Sequence, residues 1–230
     1  MIIAIDGPAG SGKSSTARAV AKQLGFRHLD SGAFYRTLTL AALQRAIPVE
    51  EWNHLDARAL DALEVSAENA RQGLVFRIAG DDVTNQIRAP EVNAHVSQMA
   101  AVPAVREWLL ERLRAIGGSG NVVSDGRDIG TVVFPHADLK IFLVADPTTR
   151  ARRRLAEHGN RHPSDAEISQ EVDRLLRRDH LDSQRATAPL KQASDAVVLD
   201  TTDHTFEEQV ERIVALARAR DQRVRDQDRN

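Results

Sequence analysis

A dense cluster of glycine, lysine and hydroxyl residues follows directly on a short apolar run at the start of the chain. Residues 2–5 read IIAI, Asp6 ends the run, and residues 7–15 read GPAGSGKSS. The spacing fits the pattern G-x-x-x-x-G-K-[ST], in which glycines let the backbone close around an anion with its N–H groups pointing inward. A helix that begins near Lys13 adds its positive N-terminal end at the same place. The segment therefore predicts a strand, a phosphate-binding loop and a helix, in that order.

Two side chains of this loop have chemical roles of their own in the pattern. Lys13 can bridge the β- and γ-phosphates of a nucleoside triphosphate, and the Ser14 hydroxyl can ligate Mg²⁺. We expect the whole loop to hold the triphosphate, and its members are Gly7, Pro8, Ala9, Gly10, Ser11, Gly12, Lys13, Ser14 and Ser15. A helix over residues 14–24, closed by Gly25, gives the context that the pattern requires. The alternative is a structural turn that binds no ligand.

Composition limits the class of protein. The chain has 230 residues, 42% hydrophobic and 28% charged, which is enough for one sizeable core with small appendages. It has no cysteine, which excludes disulfides and thiolate metal sites and suits a reducing cytoplasm. No apolar run reaches membrane length and Asp6 interrupts the apolar N-terminus, so we expect neither a membrane span nor a cleaved leader. A net charge of −2 argues against a general nucleic-acid-binding surface.

Strand and helix signals alternate along much of the remaining chain. Short apolar runs, the last three typical of buried parallel strands, predict strands at residues 26–29, 122–124, 139–144 and 196–199. Capping and proline signals predict helices at residues 33–46, from Pro103 to Gly117, from Asp146 onward, and at residues 205–220. This alternation favours a parallel α/β sheet with ligands at the carboxyl ends of its strands.

Residues 57–96 do not follow this alternation. They contain LVFRIAG at residues 74–80, a polar turn at Asp81 and Asp82, and the run DVTNQIR. Alternating apolar residues on both sides of a polar turn are typical of a β-hairpin, so we predict an inserted hairpin here.

A second departure lies between two arginine-bearing helices. The letters HGNRHP at residues 158–163 break the first helix, and Ser164 opens the next with the spacing of a capping box. We predict a hinged helical hairpin at residues 151–185, the kind of element that closes over a substrate. The charged tail at residues 221–230 is expected to fray.

Four segments together resemble the bacterial cytidylate kinases of the long type, which carry an insert in the monophosphate-binding domain. They are IDGPAGSGKSST (5–16), LDSGAFYR (29–36), SDGRDIGTVVFP (124–135) and RDHLDSQRATAPL (178–190). The likeness extends over residues 3–217. It implies a P-loop nucleoside monophosphate kinase fold, with a five-stranded parallel sheet core, helices on both faces, a small α+β insert and a helical lid.

The resemblance also implies a division of the chain and a reaction. The core would comprise residues 1–56, 97–150 and 186–220, the insert 57–96, the lid 151–185 and the tail 221–230. The reaction would use ATP with Mg²⁺ as phosphoryl donor and CMP or dCMP as acceptor. The enzyme would be a cytoplasmic monomer that binds neither nucleic acid nor membrane.

The matching positions inherit the family's acceptor-binding roles. Monophosphate contacts would come from Ser31, Tyr35, Arg36 and Arg127, base contacts from Asp128, Ser97 and Arg106, and further ribose and phosphate contacts from Arg178, Asp182 and Arg185. Four of the cations, Lys13, Arg127, Arg178 and Arg185, would be catalytic, and lid arginines Arg150, Arg153 and Arg154 would reach toward ATP. The alternatives are a core aromatic residue for Tyr35 and ordinary helix positions for Ser97 and Arg106.

Chemistry supports the role implied for Asp128. Cytosine presents an exocyclic amino donor that a carboxylate accepts, whereas uracil presents a carbonyl there. The acceptor phosphate is already an anionic nucleophile, so no catalytic base is required and positioning with charge neutralisation supplies the rate.

Three other functions would also use a phosphate-binding loop. A GTP-dependent switch would carry Asn-Lys-x-Asp and Asp-x-x-Gly, and neither pattern occurs in the sequence. A kinase for uridylate, adenylate or another small acceptor, and a nucleotide binder without turnover, both stay open at this stage. Comparing ADP release with different monophosphates separates them.

Overall fold

In the computed structural model, a five-stranded parallel sheet with the strand order β2-β6-β1-β7-β8 organises the fold. Its strands are β1 (Ile2–Asp6), β2 (Arg27–Asp30), β6 (Val122–Asp125), β7 (Leu139–Val144) and β8 (Val197–Asp200). The central strand, β1, pairs on one side with β6 and on the other with β7. The predicted parallel α/β sheet is therefore confirmed, and the loop that follows β1 begins between the carboxyl ends of two neighbouring strands.

The structure describes residues 1–70, 73–118 and 120–227, and they form two units. The first unit contains Met1–His28 and Gly120–Asn230, and the second contains Leu29–Ser119. The predicted lid lies within the first unit and the predicted insert within the second. Over the described residues, no helix has both the length and the apolar character needed to cross a membrane.

The core of the first unit lies between the sheet and two helices. The helices are α1 (Lys13–Leu24) and α8 (Phe206–Gln227). Ile3 and Ile5 of β1 pack with Val20 of α1 and Ile213 of α8 in one buried cluster. Gly25 takes a left-handed conformation with φ 69° and ends α1 where the sequence predicts. This packing fixes the start of α1 directly behind the glycine-rich loop.

The carboxyl-terminal part of the unit differs from the prediction in two ways. The last strand is not buried, because Val197 and Val198 are 41% and 49% exposed. The reason is its position at the edge of the sheet, where β8 has a strand neighbour, β7, on one side. The predicted frayed tail is also wrong for residues 221–227, which continue α8; residues 228–230 lie outside the described part.

The predicted helical hairpin is present. It consists of α6 (Pro147–Glu157) and α7 (Asp165–Ser183). The Asp146 side chain accepts hydrogen bonds from the first turn of α6. Ser164 and Glu167 form the predicted capping box at the start of α7.

The second unit combines helices with a small antiparallel sheet. Its elements are α2 (Ser31–Gln44), α3 (Ala57–Asp61), β3 (Val65–Ala70), β4 (Gly73–Ile78), β5 (Asp81–Asp82), α4 (Pro90–Met99) and α5 (Pro103–Gly117). The predicted hairpin is correct for β4, but its main partner is β3, which the sequence did not predict because VSAENA is mostly polar or small. The run after the turn supplies only the short β5 and then a 3-10 helix at Gln86–Arg88, so the predicted strand there is wrong.

Candidate nucleotide-binding site

The glycine-rich loop lies between β1 and α1, and its backbone has the shape that the pattern predicts. Gly7 has φ 149°, and a Cβ there would collide with the carbonyl oxygen of Leu143 on β7. Gly12 has φ 86° and immediately precedes α1. Only glycine fits at the first position, because the loop runs against a neighbouring strand.

Lys13 is buried in the mouth of this loop. Its Nζ donates to the carbonyl oxygen of Pro8 at 2.5 Å and to Ser11 Oγ at 3.3 Å. Burial, together with the positive charge of Arg127, holds the pKa of Lys13 well below its ordinary value. The phosphates of a nucleotide in this loop would supply negative charge that favours the ammonium form of Lys13.

Ser14 connects the loop to the end of β6. Its hydroxyl donates to Asp125 Oδ2 at 2.5 Å, and His28 Nε2 lies 2.7 Å from Asp125 Oδ1. Burial alone raises the pKa of Asp125, but the hydrogen bonds from His28 and Ser14 and the charge of Lys13 outweigh it, so the net pKa lies below the usual range. A hydroxyl and an ionised carboxylate therefore meet at the start of α1.

The fit of Mg²⁺ follows from this pair of oxygen donors. Magnesium prefers hard oxygen ligands and is commonly held by one or two protein groups together with phosphates and water. The Ser14 hydroxyl and Asp125 carboxylate match that donor set. No group of three or more acidic, histidine or cysteine side chains in the described part of the chain forms an all-protein cage.

Asp6 connects the loop to the segment that carries Arg127 and Asp128. It is the last residue of β1, and its two carboxylate oxygens accept from the backbone N–H groups of Ile129 and Gly130 at 2.8 and 2.7 Å. Burial raises the pKa of Asp6 to about 6, against the opposing effect of these two hydrogen bonds. The chain turn directly after Asp128 is thereby held against the strand that precedes the loop.

Three of the predicted acceptor-binding residues meet in the first unit. Arg127 Nε donates to Asp182 Oδ2 at 2.8 Å, and Arg185 Nη1 lies 3.9 Å from Asp182 Oδ1. Burial raises the pKa of Asp182, but the charges of Arg127, Arg178 and Arg185 outweigh it, and the net pKa is lowered. Asp128 is buried close by in sequence, just after Arg127.

Arg185 reaches this cluster by a route that the sequence did not predict. The interval of three from Asp182 suggested one helix face, but α7 ends at Ser183. Arg185 instead turns back, and its Nε donates to the backbone oxygen of Asp182 at 3.1 Å. Its Nη2 donates to the backbone oxygen of Ala188.

The other predicted acceptor-binding residues lie in the second unit. Ser31, Tyr35 and Arg36 are on α2, Ser97 is on α4 and Arg106 is on α5. The Arg106 guanidinium lies 5.5 Å from the centre of the Tyr35 ring, and its Nη1 donates to the backbone oxygen of Ala100. This unit thus brings Tyr35 and Arg106 together.

The start of α2 is capped by a carboxylate and has the side chain of Arg36 beside it. Asp30 caps the helix by accepting from the Ala33 N–H, and it also pairs with Arg88 at 2.9 Å. Arg36 Nε donates to Asn93 Oδ1 at 3.3 Å. A Cβ at position 32 would approach Arg36 Nη1, so the glycine leaves room for the guanidinium beside the helix start.

The three lid arginines make different contacts. Arg150 pairs with Asp179 of α7. Arg153 donates to the hydroxyl and backbone oxygen of Thr201, and Arg154 pairs with Glu157 one turn further on. Their contacts with ATP stay predictions.

Sequence reasoning did not select four residues that support the site. They are Asp6, His28, Asn93 and Asp179. The sequence does place Asp125 with Asp128 at the carboxyl end of a predicted strand, as an alternative contact for the base, but it does not indicate a role of Asp125 with Mg²⁺. His28, Asn93 and Asp179 act through contacts between segments distant in sequence, and no local pattern indicates those.

The sequence matches the model of a known protein family over most of its length. The model of the family described as cytidylate kinase matches residues 3–219. A cytidylate kinase of Geobacillus sp. is 45% identical over 95% of this chain and 96% of its own length. A cytidylate kinase of Desulfitobacterium hafniense is 48% identical over 93% of this chain and 91% of its own, and one of Streptococcus pneumoniae is 48% identical over 95% and 97%.

Proposed function

This chain belongs to the cytidylate kinase family, and we propose that it transfers the γ-phosphoryl group of ATP to CMP or dCMP, giving ADP and CDP or dCDP. The observation that carries this proposal is the match of the family over residues 3–219, on a chain whose glycine-rich loop follows the central strand of a parallel sheet. ATP is the donor, and Mg²⁺ accompanies it.

Charge neutralisation accounts for the phosphoryl transfer. The acceptor phosphate attacks the γ-phosphorus directly, since it is already anionic. Lys13 is held in the loop mouth and neutralises charge on the β- and γ-phosphates. Arg127, Arg178 and Arg185 surround Asp182 and supply positive charge on the acceptor side. Positioning and electrostatic stabilisation then provide the rate enhancement.

Ser14 and Asp125 would hold Mg²⁺. An ion held by these two side chains would supply positive charge against the phosphates during transfer. The hydrogen bond between the two side chains places both oxygens at the start of α1 before nucleotide binds. His28 keeps the Asp125 carboxylate oriented by occupying its other oxygen.

Acceptor selection depends on the base and on the monophosphate. Asp128 accepts a hydrogen bond from the exocyclic amino group of cytosine, and Ser97 and Arg106 make the remaining base contacts. The monophosphate is held by Ser31, Tyr35 and Arg36 with Arg127. Asp182, ionised because three arginines lower its pKa, accepts from a ribose hydroxyl.

For the functional division of the chain we propose the bounds that the resemblance implies, which differ from the two units of the structure because residues 29–56 and 97–118 lie in the second unit. Residues 1–56, 97–150 and 186–220 form the core, residues 57–96 the monophosphate-binding insert, and residues 151–185 a lid that closes to exclude water. Arg153 and Arg154 contact the ATP side in the closed state. The resemblance to the family implies a monomer. A cytoplasmic location accords with the absence of cysteine, and small-molecule substrates rather than nucleic acid accord with the net charge of −2.

A substrate panel tests the proposed function. ADP release is measured in a coupled assay with ATP, Mg²⁺ and, in separate reactions, CMP, dCMP, UMP, AMP and GMP. We expect ADP to accumulate with CMP and dCMP, far more slowly with the other nucleotides, and only at background without acceptor. Equal rates with and without CMP would identify an ATP hydrolase, and a preference for AMP or UMP would identify another monophosphate kinase.

A further inference from the structure

The backbone N–H and the carbonyl oxygen of Ala9, in the glycine-rich loop, are bonded to the two members of one ion pair. Asp179 Oδ1 accepts from the Ala9 N–H at 2.7 Å, and Arg150 Nη1 donates to the Ala9 carbonyl oxygen at 2.9 Å. Arg150 Nη1 also lies 2.5 Å from Asp179 Oδ2, which closes the ring of contacts. The two side chains come from α6 and α7, so both lid helices meet the loop at a single residue.

Both side chains of this ring are largely buried, so the loss of either one is energetically costly. The Arg150 side chain is 5% exposed and the Asp179 side chain 16% exposed. A buried ion pair that loses one partner leaves an uncompensated charge, which is strongly unfavourable. Each of these side chains therefore requires the other, and the ring as a whole resists rearrangement.

Apolar packing surrounds the ring. Ala9 lies in a buried cluster with Ala151 of α6 and with Ile168 and Leu175 of α7. A Cβ at Gly10 would lie 3.2 Å from the backbone oxygen of Arg150 and 3.3 Å from Leu175 Cδ1. The loop tip and the two helices are in close contact, so the helices cannot shift without a change in the loop.

We propose that Asp179 and Arg150 are positioning residues that fix the conformation of the glycine-rich loop and couple it to the α6–α7 hairpin. The Ala9 N–H is thereby directed at Asp179 and not at the triphosphate. Movement of the hairpin then changes the shape of the loop and its affinity for ATP. This inference rests on the proposed function and gives Arg150 a role different from direct contact with ATP.

The substitutions follow from the geometry of the ring. Asp179→Asn retains size but turns an amide donor toward the Arg150 guanidinium, and Arg150→Met removes the donor of the bonds to the Ala9 carbonyl oxygen and to Asp179. The double variant Asp179→Asn/Arg150→Met leaves no unpaired buried charge, so it retains the fold even where a single variant does not. Asp173→Asn and Arg152→Met, exposed positions on the same two helices, are the matched controls.

Nucleotide binding is measured without turnover, by calorimetric titration with a non-hydrolysable ATP analogue and Mg²⁺. Each single variant is expected to weaken binding of the analogue by roughly tenfold. The loss of affinity in the double variant should not exceed the larger of the two single losses, since both changes break the same ring. Amide exchange of the peptide that covers the loop should accelerate in the same variants. The KM for CMP should stay within about twofold, and both controls should match the wild type.

Two results would overturn the proposal. One is analogue affinity and loop exchange in the double variant equal to those of the controls. The other is additive losses in the two single variants, which would show that the residues act separately. Failure of the wild type to phosphorylate CMP would overturn the proposed function instead, because the binding and exchange measurements need no acceptor.

Discussion

The Ser14 hydroxyl donates a 2.5 Å hydrogen bond to Asp125, across 111 positions of the chain. The contact joins the start of α1 to the end of β6 and places a hydroxyl beside a carboxylate whose net pKa is lowered. The proposed Mg²⁺ site rests on this contact between the phosphate-binding loop and the neighbouring strand.

Asp125→Asn is expected to impair the use of Mg²⁺. The amide retains the shape of the side chain but removes the negative charge and one oxygen donor, so the Mg²⁺ concentration for half-maximal rate should rise by roughly tenfold or more. Titration of the initial rate with Mg²⁺ at fixed ATP and CMP measures this. The exposed residue Asp203, changed to Asn, is the control. An unchanged Mg²⁺ dependence would exclude Asp125 from the metal site.

Lys13→Ala is expected to abolish phosphoryl transfer while the fold stays intact. The change deletes a buried positive charge from the mouth of the loop, and kcat should fall by at least about 100-fold. Steady-state rates and circular dichroism spectra provide the measurement. Lys22→Ala, an exposed change on the same helix, should have no effect on kcat. Near wild-type turnover in a folded Lys13→Ala variant would show that the loop is not the catalytic site.

The sequence predicted those features that depend on local patterns. The loop, the capping box at Ser164 and the glycine end of α1 each depend on residues within a few positions, so spacing alone was sufficient. The parallel sheet followed because apolar runs alternate with capped helices. By contrast, the burial of β8 was predicted wrongly, since the position of a strand at a sheet edge depends on the order of all five strands.

Supporting residues were harder to predict for the same reason. Asp179 contacts Ala9 across 170 positions, and Asp6 contacts Gly130 across 124. A lone aspartate on a helix or at a strand end has many ordinary roles, and only the folded backbone identifies the N–H groups that it accepts from. The residues proposed to contact substrate could be selected from the sequence because they lie in recognisable segments. The residues that orient them do not lie in such segments.

Asp6 should make stability fall as pH rises through the weakly acidic range. Its pKa is about 6 in the folded protein and near 3.8 in the unfolded chain, so folding takes up a proton between these values. Stability from this group is therefore greatest below about pH 4 and is lost as pH rises to about 6, by on the order of 3 kcal/mol.

The variant Asp6→Asn isolates this effect. Free energies of unfolding are measured by denaturant titration between pH 4 and 7 for both proteins. Although the variant is less stable overall because an amide cannot accept from both N–H groups, the advantage of the wild type should shrink as pH rises. A difference between the two proteins that stays constant across this range would contradict the raised pKa.

The α6–α7 hairpin should become more protected when substrates bind. The break at residues 158–163 between two capped helices predicts that residues 150–178 close together over ATP and acceptor. Hydrogen exchange with and without a bisubstrate analogue measures this, with α8 as an internal reference that should not change. Equal exchange of residues 150–178 in both conditions would refute the lid.

The most direct test of the account is the ratio of kcat/KM for CMP to kcat/KM for UMP, measured in the wild type and in Asp128→Asn. A carboxylate at Asp128 would bring a second acceptor against the uracil carbonyl, which costs about 1 to 3 kcal/mol relative to the bond with the cytosine amino group, so the wild type should prefer CMP by roughly 5 to 150-fold. In Asp128→Asn the ratio should shrink, mostly through lower efficiency with CMP, because the amide can donate to uracil. Asp125→Asn should lower kcat/KM for both CMP and UMP and leave their ratio unchanged. A wild-type preference for CMP that persists undiminished in Asp128→Asn would contradict the assignment of Asp128 to the base, and a wild type without that preference would contradict the proposed function.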